Sequence, residues 1–137
     1  MVTRPSDCIF CAIIERRAPA HFVYEDEEAV AFLDIFPFTR GHLLVVPKRH
    51  VDRLTELADG EHGRLLSAVA NVCRKVERLS RDYNVALNQG RLAGQIVFHL
   101  HFHVIPRYDG MNPFDAGRRP KLDDLEATEL VRLLGAP

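Results

Sequence analysis

The clearest periodic pattern in the chain lies between residues 61 and 81. Apolar residues recur there at steps of three and four, the spacing that places side chains on one face of an α-helix. This apolar stripe consists of Leu65, Val69, Val72, Val76, Leu79 and Tyr83. Arginine and glutamate occupy the opposite side, so the pattern predicts one long amphipathic helix that packs on a core.

Short apolar runs bounded by turn residues predict strands elsewhere. The predicted strands are residues 21–24, 29–33, 42–46, 85–88 and 96–105, the third and fifth of which end at prolines. Short helices are predicted at residues 8–15, with Asp7 as N-cap, and at about 122–134. Short strands joined by tight turns around one long helix favour an α+β domain with an antiparallel sheet.

Size and composition narrow the class of protein. A chain of 137 residues suits one domain, so we expect residues 1–137 to form a single unit. The net charge of −1 predicts no broad attraction to nucleic acid or to an anionic membrane. No apolar run approaches a membrane span, and three cysteines argue against a disulfide framework. We therefore expect a cytoplasmic protein.

Three histidines alternate with apolar residues near the end of the predicted last strand. Because side chains alternate between the faces of a strand, we expect His99, His101 and His103 on one face, open to a ligand, and Leu100 and Phe102 on the core face. His-x-His pairs commonly bind metals. A neutral imidazole is also a good nucleophile for attack on phosphorus. The pattern of this strand alone favours neither function over the other.

Residues 99–105, HLHFHVI, resemble the signature of the histidine triad (HIT) family of nucleotide hydrolases and transferases. Residues 31–35, 40–50, 87–90 and 93–95 resemble further family segments, in the family's order. The likeness extends over a core of about 7–108, which leaves a C-terminal loop and helix at about 109–137. It is greatest to bacterial members of the branch that contains the nucleoside phosphoramidate hydrolases. The resemblance implies a HIT-like fold: an antiparallel sheet of about five strands, one long helix and short flanking helices.

The resemblance also implies a reaction. His101 would attack the α-phosphate of a nucleoside 5′-phosphate derivative, such as a phosphoramidate or a dinucleoside polyphosphate, and form a nucleotidyl-histidine. Water would then release the nucleoside monophosphate. His103 would contact the phosphate and the leaving group, and His99 and His42 would complete the polar cluster behind the nucleophile. Family members form homodimers, partly through the long helix and a neighbouring strand.

A purine nucleotide site follows from the same resemblance. Asp34 would bind the ribose hydroxyls, and its carboxylate chemistry suits a ligand with two hydroxyls. Asn88 and Gln95 would hydrogen-bond the phosphate region. An apolar slot around the base would consist of Ile9, Phe10, Ile13, Phe32, Ile35 and Leu44.

Cys8 and Cys11 have the two-residue spacing that lets two thiolates reach one tetrahedral zinc ion. The spacing alone is equally consistent with two buried small side chains or with a redox pair. The resemblance implies a structural zinc site that His50 and His99 complete. Cys73 lies on the helical stripe, and we expect it in the core.

One position departs from the family pattern. Family members usually have Ser or Thr three residues before the first triad histidine, where this chain has Ile96. An isoleucine cannot donate a hydrogen bond, so we expect weaker handling of amine leaving groups or a different preferred substrate. Two alternatives therefore stand beside the hydrolase: a nucleotide-binding or sensing module whose triad only holds a phosphate, and an enzyme whose three triad histidines ligate a catalytic metal.

Overall fold

The computed structural model describes residues 7–111 and 117–137. Its strands are β1 Phe22–Glu25, β2 Ala29–Leu33, β3 Leu43–Pro47, β4 Tyr83–Leu87 and β5 Phe102–Pro106. Its α-helices are α1 Ile9–Ile14, α2 Glu61–Val76 and α3 Asp124–Leu134. Short 3₁₀ turns lie at Leu54–Glu56 and Arg91–Ala93.

The strands form one antiparallel sheet in the order β1-β2-β3-β5-β4. The chain leaves β3, passes through α2, forms the edge strand β4 and returns as β5 between β3 and β4. This arrangement confirms the predicted α+β class and the antiparallel sheet. It also makes β3 and β5 neighbours, although about 60 residues separate them.

The register of β3 and β5 assigns the two faces of the sheet. Leu43 pairs with Val104, and both side chains belong to the core cluster that α2 covers. Leu44 pairs with His103 and, on its other side, with Phe32. Because directly paired residues share a face, His103 lies on the face opposite α2. A second apolar cluster, which includes Phe10 of α1, covers that face.

The long helix α2 buries the predicted stripe but ends earlier than predicted. Its buried side chains are Leu65, Ala68, Val69, Val72, Cys73 and Val76, which confirms Cys73 as a core residue. The helix ends at Val76 rather than at Arg81, because the amides of Arg78 and Leu79 bond to carbonyls only three residues back, those of Lys75 and Val76. The Ser80 hydroxyl then donates to the Arg107 carbonyl at 2.6 Å, which directs the chain towards β4.

Two other predicted boundaries were wrong. Strand β5 begins at Phe102 rather than at Ile96, because the Leu100 amide bonds to the Val51 carbonyl at 2.7 Å instead of to a neighbouring strand. The N-cap of helix α1 is Cys8 and not the predicted Asp7. The Cys8 sulfur accepts the Cys11 amide at 3.3 Å, so the sulfur takes the position of a capping oxygen.

None of the helices within residues 7–111 and 117–137 combines the length and the apolar character that crossing a bilayer requires.

Two glycines make a matched stability test. Gly41 has φ +91°, a conformation that side chains rarely adopt, and a Cβ there would collide with Leu79 Cδ1. We expect Gly41→Ala to lower the free energy of unfolding by about 1–3 kcal/mol. Gly63 lies on the exposed side of α2 with open space around it. Gly63→Ala should raise the free energy of unfolding by about 0.5–1 kcal/mol.

Urea titrations of the two variants and of the wild type at equal protein concentration measure both effects. Equal midpoints for Gly41→Ala and the wild type would show that the loop before β3 does not need a glycine.

Candidate functional site

His42 and His103 lie side by side because β3 and β5 pair in the centre of the sheet. His42 Nδ1 accepts the Phe38 amide at 3.0 Å, so the proton of the neutral His42 ring lies on Nε2. This Nε2 is 2.9 Å from His103 Nδ1 and donates to it. The proton of a neutral His103 is therefore on Nε2. A relay of fixed direction runs from the Phe38 amide through His42 to His103.

His101 has the tautomer that a nucleophile requires. Its Nδ1 is 2.7 Å from the carbonyl oxygen of His99, and a carbonyl only accepts, so Nδ1 carries the proton. The lone pair is consequently on Nε2. The His101 ring lies between the rings of Phe10 and His103, with centroid distances of 5.0 Å to each. Its orientation is thus set by one hydrogen bond and two ring contacts.

Burial keeps these imidazoles neutral. It lowers the pKa of His42 to about 2, with help from the charges of His103 and Arg118. It lowers the pKa of His103 to about 4 and also depresses the pKa of His101, where the His99 carbonyl and Asp34 act in the opposite direction. At neutral pH the rings can therefore donate and accept as their tautomers specify.

The three triad histidines are more buried than the sequence predicts. The exposed fractions of His99, His101 and His103 are 0%, 7% and 6%. The prediction of an open histidine face was wrong because α1 lies over it: the Phe10 ring contacts both His99 and His101. His99 also precedes β5 instead of lying within the strand.

Asp34 follows β2 directly and lies at the edge of the histidine cluster. Its Oδ1 accepts the Phe36 amide at 2.8 Å, and its Oδ2 lies 3.6 Å from His42 Nε2 and 3.4 Å from Arg118 Nη1. Burial raises the pKa of Asp34, which the Phe36 amide and the Arg118 charge counteract. A carboxylate that is mostly buried yet reachable suits a ligand with hydroxyl groups.

The predicted base slot is partly assembled. Phe10, Ile13, Phe32 and Leu44 belong to the apolar cluster that covers the histidine face. The rings of Phe10 and Phe32 meet edge to face at 5.5 Å. Ile9 and Ile35, the other two predicted residues, are 48% and 44% exposed and lie outside this cluster.

The residues predicted to hold the phosphate lie in the loop after β4. Gln95 is 4% exposed and is held by the backbone. Its Oε1 accepts the Gly90 amide at 2.8 Å, and its Nε2 donates to the carbonyls of Asp52 and Val97. This geometry gives Gln95 a role in shaping the loop. Asn88 is half-buried just after β4. Ile96, which stands where the family usually has Ser or Thr, is 77% exposed.

A separate cluster joins α1 to the histidine segment through Cys8, Cys11, His50 and His99. His99 Nδ1 lies 3.5 Å from Cys8 Sγ and 3.6 Å from Cys11 Sγ. His50 Nδ1 lies 3.1 Å from His99 Nδ1 and 3.3 Å from Cys11 Sγ. All four potential ligand atoms lie within 4.8 Å of one another.

The donor atoms of this cluster fit zinc. With metal–nitrogen bonds of about 2.0–2.1 Å and metal–sulfur bonds of about 2.3 Å, a tetrahedral ion places two nitrogens about 3.3 Å apart and a nitrogen and a sulfur about 3.6 Å apart. His99 Nε2 donates to the Pro47 carbonyl at 2.8 Å, and His50 Nε2 lies 3.3 Å from Asp52 Oδ1. Such outer contacts are typical of metal-binding histidines, since they orient the ring towards the ion. Two thiolates and two imidazoles could therefore hold zinc with a complete coordination shell.

The triad does not converge as three ligands of one metal. His99 Nδ1 faces the cysteine cluster, His101 Nδ1 bonds to a carbonyl, and His103 Nδ1 bonds to His42. In the part of the chain that the structure describes, the candidate metal groups include His99 in one cluster and His103 in another, and neither includes His101. This separation disfavours the metalloenzyme alternative.

Two residues near the site had no signal in the sequence analysis. The Phe38 ring stacks on His42, with a centroid distance of 5.2 Å and an interplanar angle of 11°. Arg118 contacts Asp34 across 84 positions of sequence. Contacts of such separation leave no periodic pattern, so only the fold reveals them.

With the histidine cluster and the sheet established, comparison with known proteins places the chain in a family. A family model described as the HIT domain matches residues 15–110. The chain belongs to the HIT family.

Individual relatives share most of the length of this chain. An uncharacterized HIT-like protein of Methanocaldococcus jannaschii is 50% identical over 104 residues, which cover 75% of this chain and 81% of that protein. The adenosine 5′-monophosphoramidase of Schizosaccharomyces pombe is 41% identical over 100 residues, 73% of this chain and 74% of that enzyme. The crystal structure of a zinc-bound histidine triad family protein from Mycobacterium smegmatis matches with a TM-score of 0.77 and 39% identity, covering 93% of each chain.

The depressed pKa of His103 predicts a pH dependence of stability. Its pKa is about 4 in the folded protein against an ordinary value of 6.5, so between these values the unfolded chain binds a proton that the folded chain does not. The free energy of unfolding should therefore fall as the pH drops through this window. His103→Asn keeps an acceptor near Nδ1 but cannot titrate. We expect its stability curve to be flatter than that of the wild type by up to about 1.4 kcal/mol per pH unit.

Urea denaturation of both proteins between about pH 6.5 and 4.5 measures this difference, and ionisations elsewhere in the molecule cancel in the comparison. Parallel curves would mean that His103 titrates normally in the folded protein.

Proposed function

We propose that the protein hydrolyses nucleoside 5′-phosphate derivatives at the α-phosphate, with His101 Nε2 as nucleophile, and releases the nucleoside monophosphate. The observation that carries this proposal is the hydrogen bond from His101 Nδ1 to the His99 carbonyl. It leaves the Nε2 lone pair of a neutral ring for attack at phosphorus. The relative from Schizosaccharomyces pombe, an adenosine 5′-monophosphoramidase, supports a substrate with a nucleoside 5′-phosphoryl group.

The chemistry takes two steps. In the first, Nε2 of His101 forms a bond to phosphorus while the bond from phosphorus to the leaving group breaks, and the leaving group departs with a proton taken up from the solvent. In the second, water attacks the nucleotidyl-histidine, the phosphorus–nitrogen bond breaks, the neutral His101 is restored, and one proton of the water returns to the solvent. The hydrogen bond to the His99 carbonyl stabilises the positive charge that His101 carries in the intermediate.

His103 and His42 serve the phosphoryl group in this proposal. Because His103 Nδ1 accepts from His42, the Nε2–H of His103 can donate to a phosphoryl oxygen or to the leaving group. The Phe38 amide fixes the direction of this relay without any change of charge. The base occupies the apolar cluster beside Phe10, and Asp34 binds the ribose.

One observation favours the nucleotide-sensing alternative. Ile96 is 77% exposed where relatives of this family usually have a hydroxyl, so it gives the leaving group no hydrogen bond. Binding without turnover would then be the expected behaviour. The two functions differ in a single measurable outcome, product release.

The first test is AMP release from adenosine 5′-phosphoramidate. We expect turnover by the wild type and a loss of at least about 10³-fold in kcat for His101→Ala, because no other group can form the covalent intermediate. His62→Ala, which removes an exposed histidine of α2, should match the wild type. Intact mass spectra during wild-type turnover should show a transient adenylyl adduct that is missing from His101→Ala.

Nucleotide binding by the wild type without any product would favour the sensing module. Residual turnover by His101→Ala above about a tenth of the wild-type rate would exclude His101 as the nucleophile.

We further propose that the cysteine–histidine cluster holds a structural zinc ion. Two thiolate and two imidazole ligands leave no open coordination position, so bound zinc would supply stability and not catalysis. The zinc-bound relative from Mycobacterium smegmatis supports this assignment. The cluster connects α1 to His99, whose carbonyl orients His101.

Metal analysis of cysteine variants tests the zinc proposal. We expect about one zinc per chain in the wild type and in Cys73→Ala, whose cysteine lies in the α2 core, and much less in Cys11→Ala. Chelation should lower the unfolding temperature of the wild type while the remaining folded protein keeps most of its turnover. Complete loss of turnover before any unfolding would instead indicate a catalytic metal.

A homodimer is the assembly that the family resemblance implies. Exposed apolar side chains on the edge strand β4 and on α2 support it, since Val85 is 48% and Leu66 is 62% exposed. The resemblance assigns the interface partly to the long helix and a neighbouring strand, and we propose that these are α2 and β4.

A further inference from the structure

The segment after residue 116 lies along the loop that carries Asp34. The Arg119 amide donates to the Pro37 carbonyl at 2.7 Å, and the Leu122 amide donates to the Ile35 carbonyl at 2.8 Å. The Arg119 guanidinium also binds both oxygens of the Glu126 carboxylate, at 2.7 and 3.1 Å, which ties the segment to α3. The backbone next to Arg118 is therefore tied to the loop that carries Asp34 and to α3.

Three contacts hold the Arg118 guanidinium at the edge of the site. Its Nη1 lies 3.4 Å from Asp34 Oδ2 and also donates to the Phe36 carbonyl. Its central carbon lies 4.1 Å from the centroid of the Phe38 ring. Phe38 also stacks on His42, so the same phenyl ring contacts both the guanidinium and the imidazole. The contact with the ring face restrains the guanidinium and leaves N–H groups to donate to other partners.

The distance between Arg118 and Asp34 leaves the pair open to a ligand. A closed guanidinium–carboxylate pair has N···O distances of about 2.7–2.9 Å, whereas this pair is at 3.4 Å. The side chains of Arg118 and Asp34 are 36% and 12% exposed, so a ligand can reach both. The carboxylate only accepts hydrogen bonds and the guanidinium only donates them.

A hydroxyl group is the natural partner of such a pair, because it has one proton to donate and lone pairs to accept. We propose that Arg118 is a specificity-determining residue which, together with Asp34, binds a ribose hydroxyl: Asp34 accepts its proton and Arg118 donates to its oxygen. This inference rests on the proposed function, in which Asp34 binds the ribose. It deepens that function by naming the sugar: Arg118 makes the site select ribonucleotides over deoxyribonucleotides.

Two other roles for Arg118 predict different effects of its removal on nucleotide binding. If Arg118 merely blocked Asp34, its removal would strengthen the binding of every nucleotide. If it only held the segment in place, its removal would weaken AMP and its deoxy analogues equally. Neither of these two roles changes the ratio between sugars, whereas a direct contact to one hydroxyl does.

The experiment measures equilibrium binding of AMP, 2′-deoxy-AMP and 3′-deoxy-AMP to the full chain by calorimetry. We expect the wild type to bind AMP at least about 10-fold more tightly than one of the two deoxy analogues. Arg118→Ala should reduce that preference at least threefold by weakening AMP, with little change for that analogue. Arg132→Ala is the matched control, since it removes the same charge from an exposed position on α3 and should keep the wild-type ratio.

An unchanged ratio in Arg118→Ala, or stronger binding of all three nucleotides, would overturn the proposal. Unfolding temperatures of the two variants, compared with the wild type, show that both are folded. The binding ratio does not depend on catalysis. If the ratio depends on Arg118 but no turnover occurs, the hydrolase proposal is contradicted. If turnover depends on His101 but the ratio does not depend on Arg118, only the role of Arg118 is contradicted.

Discussion

The pairing of β3 with β5 is the constraint on which the rest of the site depends. It places His42, just before β3, against His103 of β5, and it sends Leu43 and Val104 to the α2 core. A shift of the register by one residue would turn His103 into that core and Val104 out of it. The hydrophobic core therefore holds the imidazole relay in register without touching it. The pairing of β3 with β5 therefore supports both the hydrophobic core and the histidine relay.

His99 links the two polar clusters through separate atoms. Its ring belongs to the cysteine cluster, whereas its backbone carbonyl determines the tautomer of His101. The irregular backbone before β5 makes this possible, because a regular strand would pair that carbonyl with a neighbouring strand. In the proposed function, the ring anchors the residue and the carbonyl acts on the nucleophile. His99 thereby couples the position of α1 to the orientation of the His101 ring.

Local patterns predicted the fold well, and the site only in part. The α2 stripe and the antiparallel sheet of five strands follow from periodicity, turn residues and the family likeness, all of which are readable along the chain. The burial of the triad was not predictable from alternation, because the cover over it comes from Phe10, about 90 residues earlier. The late start of β5 depends on a hydrogen bond to Val51, and the course of the chain after α2 depends on one to Arg107, both distant in sequence. Arg118 was missed for the same reason.

The brevity of α1 has a consequence for how such a sequence can vary. The helix has six residues, fewer than an isolated helix needs to persist in water. Its first turn is closed by the Cys8 sulfur, and Cys11 connects the same turn to His50 and His99. The same helix supplies Phe10, the aromatic wall beside His101. A lineage that lost these cysteines would have to evolve another anchor for this helix, or accept a His101 ring that is open to bulk water on one side.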